Sequence, residues 1–318
     1  MRIGLDIMGG DYAPLETTLG AVLAQKKLSA VNRLVLIGDE KTAKELILNA
    51  GSNIELFDFV NTTQVIEMHE HPTKAFQQKT DSSITVGFKL LKEGKLDAFC
   101  SAGNTGAMLV GSMFSVKTIP GILRPAISTL VPKEKGEYGL LLDVGVNADC
   151  KPEYLQQFAI IGSLYAEHVM HITNPKVGLM SIGEEDEKGN ALTQAANQLL
   201  KTTKGINFAG NVEGRNLFDD RADVIVTDGF TGNIMLKLAE SFYTLVLKRK
   251  IKDSYFDKFN YEAYGGTPIL GINSTVMIAH GISNRLAISS MLTITKEVVD
   301  AQLSQKIAQA LPLVATAE

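Results

Sequence analysis

The chain has 318 residues, of which 45% are hydrophobic and 21% are charged, an ordinary globular composition with enough length for a sizeable core. Lysine and arginine number 31 against 35 aspartates and glutamates, and the net charge of −4 does not favour a nucleic-acid-binding protein. Two cysteines cannot form a disulfide framework, so we expect a reducing, cytoplasmic compartment. Asp6 interrupts the first apolar run, so no signal peptide is predicted.

Short apolar strands alternate with helices, and most strands end in a loop that contains glycine. Helices are predicted at residues 15–26 and 40–49. This alternation indicates βαβ units, and the continuous apolar strands indicate a sheet buried on both faces. We therefore predict an α/β fold with a mainly parallel sheet. The predicted strands are residues 2–7, 33–37, 54–60, 96–101, 138–143, 177–181, 224–227 and 276–279.

The longest notable uncharged stretch, residues 98–116, is long enough to raise the question of a membrane span. Its glycines and Asn104 instead favour a buried strand, a loop and the start of a helix. The sharpest change in composition is the charged and aromatic stretch 248–264. We interpret it as part of a helical excursion, at about 234–264, from a single domain that spans residues 1–318.

Several chemistries are disfavoured because their motifs are absent. No two glycines are spaced as G-x-G, no Walker A loop occurs, and neither G-x-S-x-G nor H-E-x-x-H is found. Two close histidine pairs, His69/His71 and His168/His171, lack an obvious third ligand, so surface histidines are the preferred interpretation. A kinase, a serine hydrolase, a zinc protease and a fingerprint-bearing dehydrogenase are disfavoured.

The carboxyl ends of the predicted strands are unusually rich in glycine, asparagine and aspartate. Ligands of open α/β sheets bind at these ends, where glycine allows close backbone approach and helix starts attract anions. Asparagine side chains add neutral donors for an oxyanion. Turn and cap chemistry is the preferred explanation of any one loop, but the repetition favours an anionic ligand. The loops are residues 9–11, 101–106, 143–147, 188–190, 210–214 and 228–233.

Lys188 follows four consecutive acidic residues and precedes Gly189 and Asn190. A lysine at a helix entry can neutralise a phosphate, although a solvated surface charge is the usual role of such a run. The four acids could bind a divalent cation, but adjacent acids more often face water. Cys100 lies in an apolar strand and is expected to be a buried structural thiol. Cys150 is expected to be more accessible, with no sign of activation.

A helical stripe of apolar residues between Met235 and Val246 indicates core or dimer packing. Lys248, Arg249, Lys250 and Lys252 follow it directly. They are consistent with a solvated helix end, a patch for an acidic protein or a contact with lipid headgroups.

Nine short motifs, taken together, extend over nearly the whole chain. They are Met8-Gly9-Gly10-Asp11, Ser101-Ala102-Gly103-Asn104-Thr105-Gly106-Ala107, Arg124-Pro125-Ala126, Asp149-Cys150-Lys151-Pro152-Glu153, Gly183-Glu184-Glu185, Lys188-Gly189-Asn190, Gly210-Asn211-Val212-Glu213-Gly214, Asp228-Gly229-Phe230-Thr231-Gly232-Asn233 and His280-Gly281.

Each motif is weak alone, but in this order they resemble the PlsX-type phosphate acyltransferases. The resemblance implies transfer of a fatty acyl group from acyl-(acyl-carrier protein) to inorganic phosphate, without a cofactor or metal, for bacterial phospholipid synthesis. It implies a homodimer with a three-layer fold similar to isocitrate and isopropylmalate dehydrogenases and phosphotransacetylases. It also links the helical excursion, which is shorter here than in many members, to peripheral contact with a membrane.

The resemblance further implies that Lys188 and Asn233 are catalytic. Our hypothesis is that Lys188 neutralises phosphate or developing charge and that Asn233 donates a hydrogen bond to the oxyanion. The other residues predicted to bind substrate or phosphate are Gly9, Gly10, Asp11, Gly103, Asn104, Thr105, Gly106, Asn147, Asn190, Asn211, Gly232 and His280.

Three alternatives stay open at this point. The first is a phosphotransacetylase-like enzyme that uses acyl-coenzyme A. The second is a non-catalytic scaffold of lipid synthesis that binds the carrier protein or a membrane. The third is a metal-dependent decarboxylating dehydrogenase, since that fold does not use the G-x-G fingerprint.

Overall fold

The computed structural model describes residues 1–29, 31–135, 138–260, 262 and 264–311. The chain divides into two compact units, residues 1–117 with 261–300 and residues 118–260 with 301–318. The prediction of a single domain over residues 1–318 is not tested by this division and stays a prediction.

Strands and helices alternate along the described chain. The strands are β1 (Arg2–Asp6), β2 (Arg33–Gly38), β3 (Phe57–Asn61), β4 (Ala98–Ser101), β5 (Ala126–Pro132), β6 (Tyr138–Leu142), β7 (Lys176–Met180), β8 (Asn207–Val212), β9 (Val224–Val226), β10 (Thr267–Leu270) and β11 (Thr275–Ile278). The helices are α1 (Leu15–Gln25), α2 (Glu40–Asn49), α3 (Pro72–Gln78), α4 (Ser83–Lys92), α5 (Thr105–Gly111), α6 (Pro152–His168), α7 (Ala191–Thr202), α8 (Gly229–Lys248), α9 (Ser254–Asp257), α10 (Arg285–Asp300) and α11 (Leu303–Ala310).

The sheet of the first unit has the order β3-β2-β1-β4-β11-β10, and its pairs are parallel except β10 with β11. On one face, Leu5 packs into a buried cluster with Ala21 of α1 and Ile288 of α10. On the other face α4 approaches so closely that a Cβ on Gly87 would overlap the Phe99 ring. Helices thus cover both faces, which explains why the strands are continuously apolar.

The sheet of the second unit has the order β5-β6-β9-β7-β8, with β5 antiparallel to β6 and the other pairs parallel. Helix α6 packs closely on it, since a Cβ on Gly162 would lie 2.6 Å from Val224 Cγ1. Between β7 and β8 the register shifts, and Gly210 has a φ of 90° at that shift. Glycine suits such a bulge because it adopts positive φ without steric cost.

The α/β class with a mainly parallel sheet is confirmed, but three boundaries are corrected. Residues 210–212 belong to β8 rather than to a loop, because they pair with β7. The predicted strand 54–60 begins with a 3₁₀ turn, Ile54–Leu56, capped by the Asn53 side chain. Helix α8 begins at Gly229, ahead of the predicted excursion, because Asp228 caps it by accepting from Thr231 N.

The described part of the excursion contains most of α8 and all of α9. Contacts between aromatic rings hold the two helices together. Phe259 lies within 6.3 Å, between ring centroids, of Tyr243 on α8 and of Tyr255 and Phe256 on α9. The predicted excursion also includes residues 261 and 263, which lie outside the described residues. No described helix is both long and apolar enough to cross a membrane.

Candidate active site

In the first unit, the loops that follow β1 and β4 meet above a buried carboxylate. Asp6 ends β1 with no exposed surface, and its carboxylate accepts hydrogen bonds from Ser101 Oγ at 2.7 Å and Met8 N at 2.9 Å. Ser101 Oγ in turn accepts from Gly103 N at 2.9 Å. A Cβ on Gly9 would overlap Asp6 Oδ2, so the loop can lie this close to the carboxylate only with glycine there.

The loop after β11 joins the same cluster. The Asp11 N–H donates to the Gly281 carbonyl at 2.7 Å, and Gly10 has a φ of 106° beside that carbonyl. His280, the neighbour of Gly281, is exposed. The structure therefore brings together the predicted residues of the first unit, from the three loops at 9–11, 103–106 and 280–281.

Asn104 is buried, and its side chain has protein partners. Its Nδ2 donates to the carbonyl oxygens of Glu67, Met68 and Glu70 at 3.0–3.2 Å, and its Oδ1 accepts from Ala107 N at 3.0 Å. The side chain thus caps α5 and holds the loop 67–70. A role for Asn104 as a substrate ligand stays a prediction.

In the second unit, Asn147 and Asn233 belong to one assembly, built on the loop after β6 and the start of α8. Asn147 Nδ2 donates to the Pro125 carbonyl at 2.8 Å and to Asp143 Oδ2 at 2.9 Å. Asn233 Nδ2 donates to the Val144 carbonyl at 3.0 Å. The first turn of α8 lies against this loop because Gly232 has no side chain. A Cβ on Gly232 would overlap the Asp143 carbonyl oxygen. Asn233 itself is exposed, so its amide is within reach of a ligand.

Lys188 is exposed in the acidic loop that precedes α7. Two of the four acids that precede it pair with other cations, Glu184 with Arg221 and Asp186 with Lys201. Among the residues that the structure describes, none forms an ion pair or a hydrogen bond with the Lys188 ammonium. This cation therefore keeps its charge available for an anionic ligand.

Two asparagines that were predicted to bind the substrate organise the Lys188 loop. Asn190 Oδ1 accepts from Thr193 N at 2.9 Å and so caps α7. Asn211 is buried in β8, and its Nδ2 donates to the Glu185 carbonyl at 2.9 Å. That same carbonyl accepts from Lys188 N at 3.0 Å. The structure thus places Asn211 behind the loop, and direct contact of either asparagine with substrate stays a prediction.

The predicted site residues did not include Asp6, and they did not single out Asp143, although the predicted loop 143–147 begins with it. Both are fully buried, Asp6 as the last residue of β1 and Asp143 directly after β6, and a loop that contains glycine follows each of them. The sequence did contain a signal for these two positions. Each aspartate directly follows a leucine at the end of an apolar run and stands shortly before a glycine. A buried carboxylate must be compensated by hydrogen bonds, which here come from the following loops and from the neighbouring strands β4 and β5.

Neither cysteine is activated. Burial raises the pKa of the Cys100 thiol to about 12, and its Sγ lies 3.2 Å from Thr295 Oγ1. Burial and the neighbouring Asp143 carboxylate raise the pKa of Cys150 to about 12. A nucleophilic cysteine mechanism needs a thiolate, so covalent catalysis by either thiol is disfavoured. In the described part of the chain, no group of three histidine, cysteine, aspartate or glutamate side chains could hold a metal ion.

A family model described as "Fatty acid synthesis protein" matches residues 1–306. The phosphate acyltransferase of Dictyoglomus turgidum is 42% identical over 330 aligned residues, with 98% of each chain covered. The phosphate acyltransferase of Desulforamulus reducens is 44% identical over 98% of this chain and 97% of its own.

Solved structures share the fold at lower identity. A phosphotransacetylase from Streptococcus pyogenes is 16% identical with a TM-score of 0.68, covering 96% of this chain and 94% of its own. A branched-chain phosphotransacylase from Enterococcus faecalis is 15% identical with a TM-score of 0.59, covering 94% of this chain and 99% of its own. At these identities the similarity shows the fold alone.

Proposed function

The chain belongs to the fatty acid synthesis protein family and is an acyltransferase with phosphate as acceptor, and we propose that its donor is acyl-(acyl-carrier protein). The resemblance to PlsX-type phosphate acyltransferases is confirmed by the family match and by the full-length relatives. The observation that carries the function is identity of 42–44% over nearly the whole length of proteins named phosphate acyltransferase. The family description supports a fatty acyl group. The proposed product, acyl-phosphate, would serve phospholipid synthesis.

The reaction needs little covalent chemistry from the protein. A phosphate oxygen attacks the thioester carbonyl carbon, and the carbonyl electrons move onto oxygen. When the tetrahedral intermediate collapses, the C–S bond breaks, the acyl group stays on phosphate and the thiolate takes up a proton. Since phosphate is already an anionic nucleophile, catalysis requires positioning and stabilisation of charge.

Lys188 and Asn233 are the proposed catalytic residues. The unpaired Lys188 ammonium is suited to neutralise phosphate as a point charge. Asn233 uses one N–H of its amide on the Val144 carbonyl, so the second N–H of that nitrogen is available to the oxyanion. Direct substrate contacts of the glycine loops in the first unit remain part of this proposal.

The first experiment identifies the donor. Purified protein is incubated with long-chain acyl-carrier protein or long-chain acyl-coenzyme A, each with and without inorganic phosphate, while free thiol and acyl-phosphate are measured. We expect phosphate-dependent thiol release with the carrier-protein thioester and much slower release with the coenzyme A thioester. Equal rates would assign the phosphotransacetylase-like function instead. Binding of carrier protein without any turnover would assign the scaffold function.

The second experiment tests the catalytic residues. Lys188→Ala and Asn233→Ala are each expected to lower the turnover rate, Asn233→Ala by about 10²–10³-fold, the effect of losing one oxyanion donor. Lys204→Ala is the matched control, because Lys204 is exposed in the same unit and follows α7, whereas Lys188 precedes that helix. Full turnover in folded Lys188→Ala or Asn233→Ala would remove that residue from the mechanism.

A homodimer is proposed from one exposed face of α8. Side chains at intervals of four residues, Phe230, Ile234, Leu238 and Phe242, are each at least half exposed. Exposure of such an apolar stripe to water is unfavourable, and stripes of this kind are typical of protein–protein interfaces. Sedimentation at micromolar concentration should therefore give twice the chain mass, and Leu238→Asp should reduce it to one chain mass.

Peripheral membrane contact is proposed for the basic end of α8. Lys248, Arg249, Lys250 and Lys252 are all exposed there, and each basic residue near an anionic bilayer contributes about 1 kcal/mol. Co-sedimentation with anionic vesicles should fall when Lys248 and Arg249 are replaced by glutamine. Absence of binding to anionic vesicles would contradict the membrane contact. The cytoplasmic location stays a prediction.

A further inference from the structure

Asp143 is a buried carboxyl group without a cationic partner among the described residues. It has no exposed surface, and no described lysine or arginine side chain pairs with it. Its carboxylate is instead surrounded by N–H donors. Oδ1 accepts from Ile127 N at 3.1 Å, and Oδ2 accepts from Asn147 N at 2.8 Å and Asn147 Nδ2 at 2.9 Å. Weaker contacts come from the N–H groups of Gly145 and Val146 at 3.2–3.3 Å.

These hydrogen bonds hold the loop 144–147 around the Asp143 side chain. Hydrogen bonds to a carboxylate are stronger than neutral ones, and a buried carboxylate that lost them would be costly. The loop is therefore held as a unit. Sequence-local turn chemistry accounts for the bonds from residues 145–147, and the bond from Ile127 N ties the same carboxylate to the neighbouring strand β5.

The loop 144–147 in turn contacts the start of α8. The Gly229 N–H donates to the Asn147 carbonyl at 2.7 Å. A Cβ on Gly229 would lie 2.8 Å from that carbonyl oxygen and 2.9 Å from Asp143 Oδ2, and one on Gly232 would overlap the Asp143 carbonyl oxygen. The first turn of the helix thus rests directly on the loop, with backbone against backbone.

Asn233 follows as the next residue of that turn. Its Nδ2 donates to the Val144 carbonyl at 3.0 Å, inside the loop that Asp143 organises. A carbonyl accepts and cannot donate, so this contact fixes which end of the Asn233 amide is nitrogen. Within the described residues, the other N–H and Oδ1 of this amide have no hydrogen-bond partner.

We propose that Asp143 is a positioning residue for acyl transfer, which orients the Asn233 amide by fixing the loop 144–147. The inference rests on the proposed catalytic role of Asn233 and adds a residue that does not touch the substrate. Asp143 acts through two contacts in series, from its carboxylate to the loop and from the Val144 carbonyl to the Asn233 amide.

The test is a double-mutant cycle with Asp143→Asn and Asn233→Ala. The asparagine has the size of aspartate, but its NH₂ group would face N–H donors, which loosens the loop. We expect Asp143→Asn to lower kcat on the order of 10²-fold, the effect of a misplaced catalytic group. In the Asn233→Ala background it should lower kcat by less than about twofold, because the group that it positions is gone. KM for phosphate should be unchanged.

Asp223→Asn is the matched control. Asp223 lies in the same unit, pairs with Lys133 at 2.7 Å and stands before β9, at the other end of the strands from Asn233. If Asp223→Asn lowers kcat only by destabilising the protein, it should lower kcat by the same factor with Asn233 present and in the Asn233→Ala background. An equal factor for Asp143→Asn in both backgrounds, or full activity in folded Asp143→Asn, overturns the proposal. Asp143→Glu enters the same cycle if Asp143→Asn does not fold.

A spectroscopic measurement separates this inference from the proposed function. In ¹⁵N-labelled protein, one Asn233 side-chain proton should exchange slowly with solvent and the other rapidly. The difference should vanish in Asp143→Asn. If Asn233→Ala is fully active, the catalytic role of Asn233 is wrong, and this exchange alone decides whether Asp143 orients the amide. If Asn233→Ala is inactive and the exchange difference survives in Asp143→Asn, only the positioning inference is wrong.

Discussion

The buried amide of Asn211 and the backbone of Glu185 are joined by a hydrogen bond of 2.9 Å, from Nδ2 to the carbonyl oxygen. The same carbonyl accepts from the backbone of Lys188, so Asn211 anchors the loop that presents the proposed phosphate-neutralising lysine. Asn197 completes the anchor by donating to Asn211 Oδ1 at 2.9 Å. A strand residue and a helix residue thereby fix an otherwise exposed loop.

Replacement of Asn211 by alanine should lower both stability and turnover. It leaves the Asn197 amide without its acceptor, and such an unsatisfied buried polar group costs about 1–3 kcal/mol. Urea unfolding measures the loss of stability, and the thiol-release assay measures turnover. Asn49→Ala, at an exposed helix end, is the control and should change neither. Unchanged turnover in Asn211→Ala would mean that Lys188 does not depend on this anchor.

Gly232→Ala should destabilise the start of α8. The new Cβ would overlap the backbone oxygen of Asp143, which cannot move aside as a flexible side chain would. Overpacking of this kind typically costs about 1–3 kcal/mol. Gly214→Ala is the matched control, because no heavy atom lies within 4 Å of its added Cβ and the change should stay within about 0.5 kcal/mol. Thermal or urea unfolding of the two variants gives the comparison, and equal midpoints would contradict the predicted overlap.

The free energy of unfolding should depend on pH because of Asp6. Burial raises the pKa of this carboxyl above its ordinary 3.8, although hydrogen bonds from Ser83, Ser101 and the loop backbone oppose the shift. A carboxyl with a raised folded pKa binds its proton more tightly when folded. Its contribution to stability is full below about pH 3.8 and is lost as the pH rises through the raised value.

Asp6→Asn removes that titration. The free energy of unfolding of the unaltered protein, minus that of Asp6→Asn, should therefore fall as the pH is raised from about 4. Urea unfolding at a series of pH values measures this difference. A difference that grows with pH would mean that the loop hydrogen bonds outweigh burial and that the folded pKa is lowered.

The two thiols should react slowly in the folded protein. With a pKa of about 12 for Cys150, alkylation by iodoacetamide at pH 8 should be on the order of 10³-fold slower than for an ordinary exposed thiol. Mass spectrometry of the peptide that contains Cys150 follows the reaction, and the same labelling in urea provides the unfolded reference. Rapid labelling in the folded state would show that Cys150 has thiolate character.

The fold class and the family were accessible from the sequence because their signals are local or ordered along the chain. Apolar runs such as residues 33–37 show continuous burial, and β2 spans Arg33–Gly38. The glycine at 232 also has a local motif, Asp228-Gly229-Phe230-Thr231-Gly232-Asn233. The motif does not contain the contact that requires this glycine, because the Asp143 carbonyl lies 89 residues before Gly232 in the sequence.

Tertiary structure alone decided which of the predicted polar side chains are exposed and which are buried in support of the loops. Asn104, Asn211 and Asn233 are the same residue type in similar motifs, yet the first two are buried against backbone carbonyls and the third is exposed. Their partners, for example the Glu185 carbonyl for Asn211, come from loops of other strands. A hydrogen bond depends on distance and direction in space, whereas residue type specifies only what can donate or accept. The sequence by itself therefore determined the fold class and the family, and packing decided which of the predicted polar side chains are buried and which are exposed.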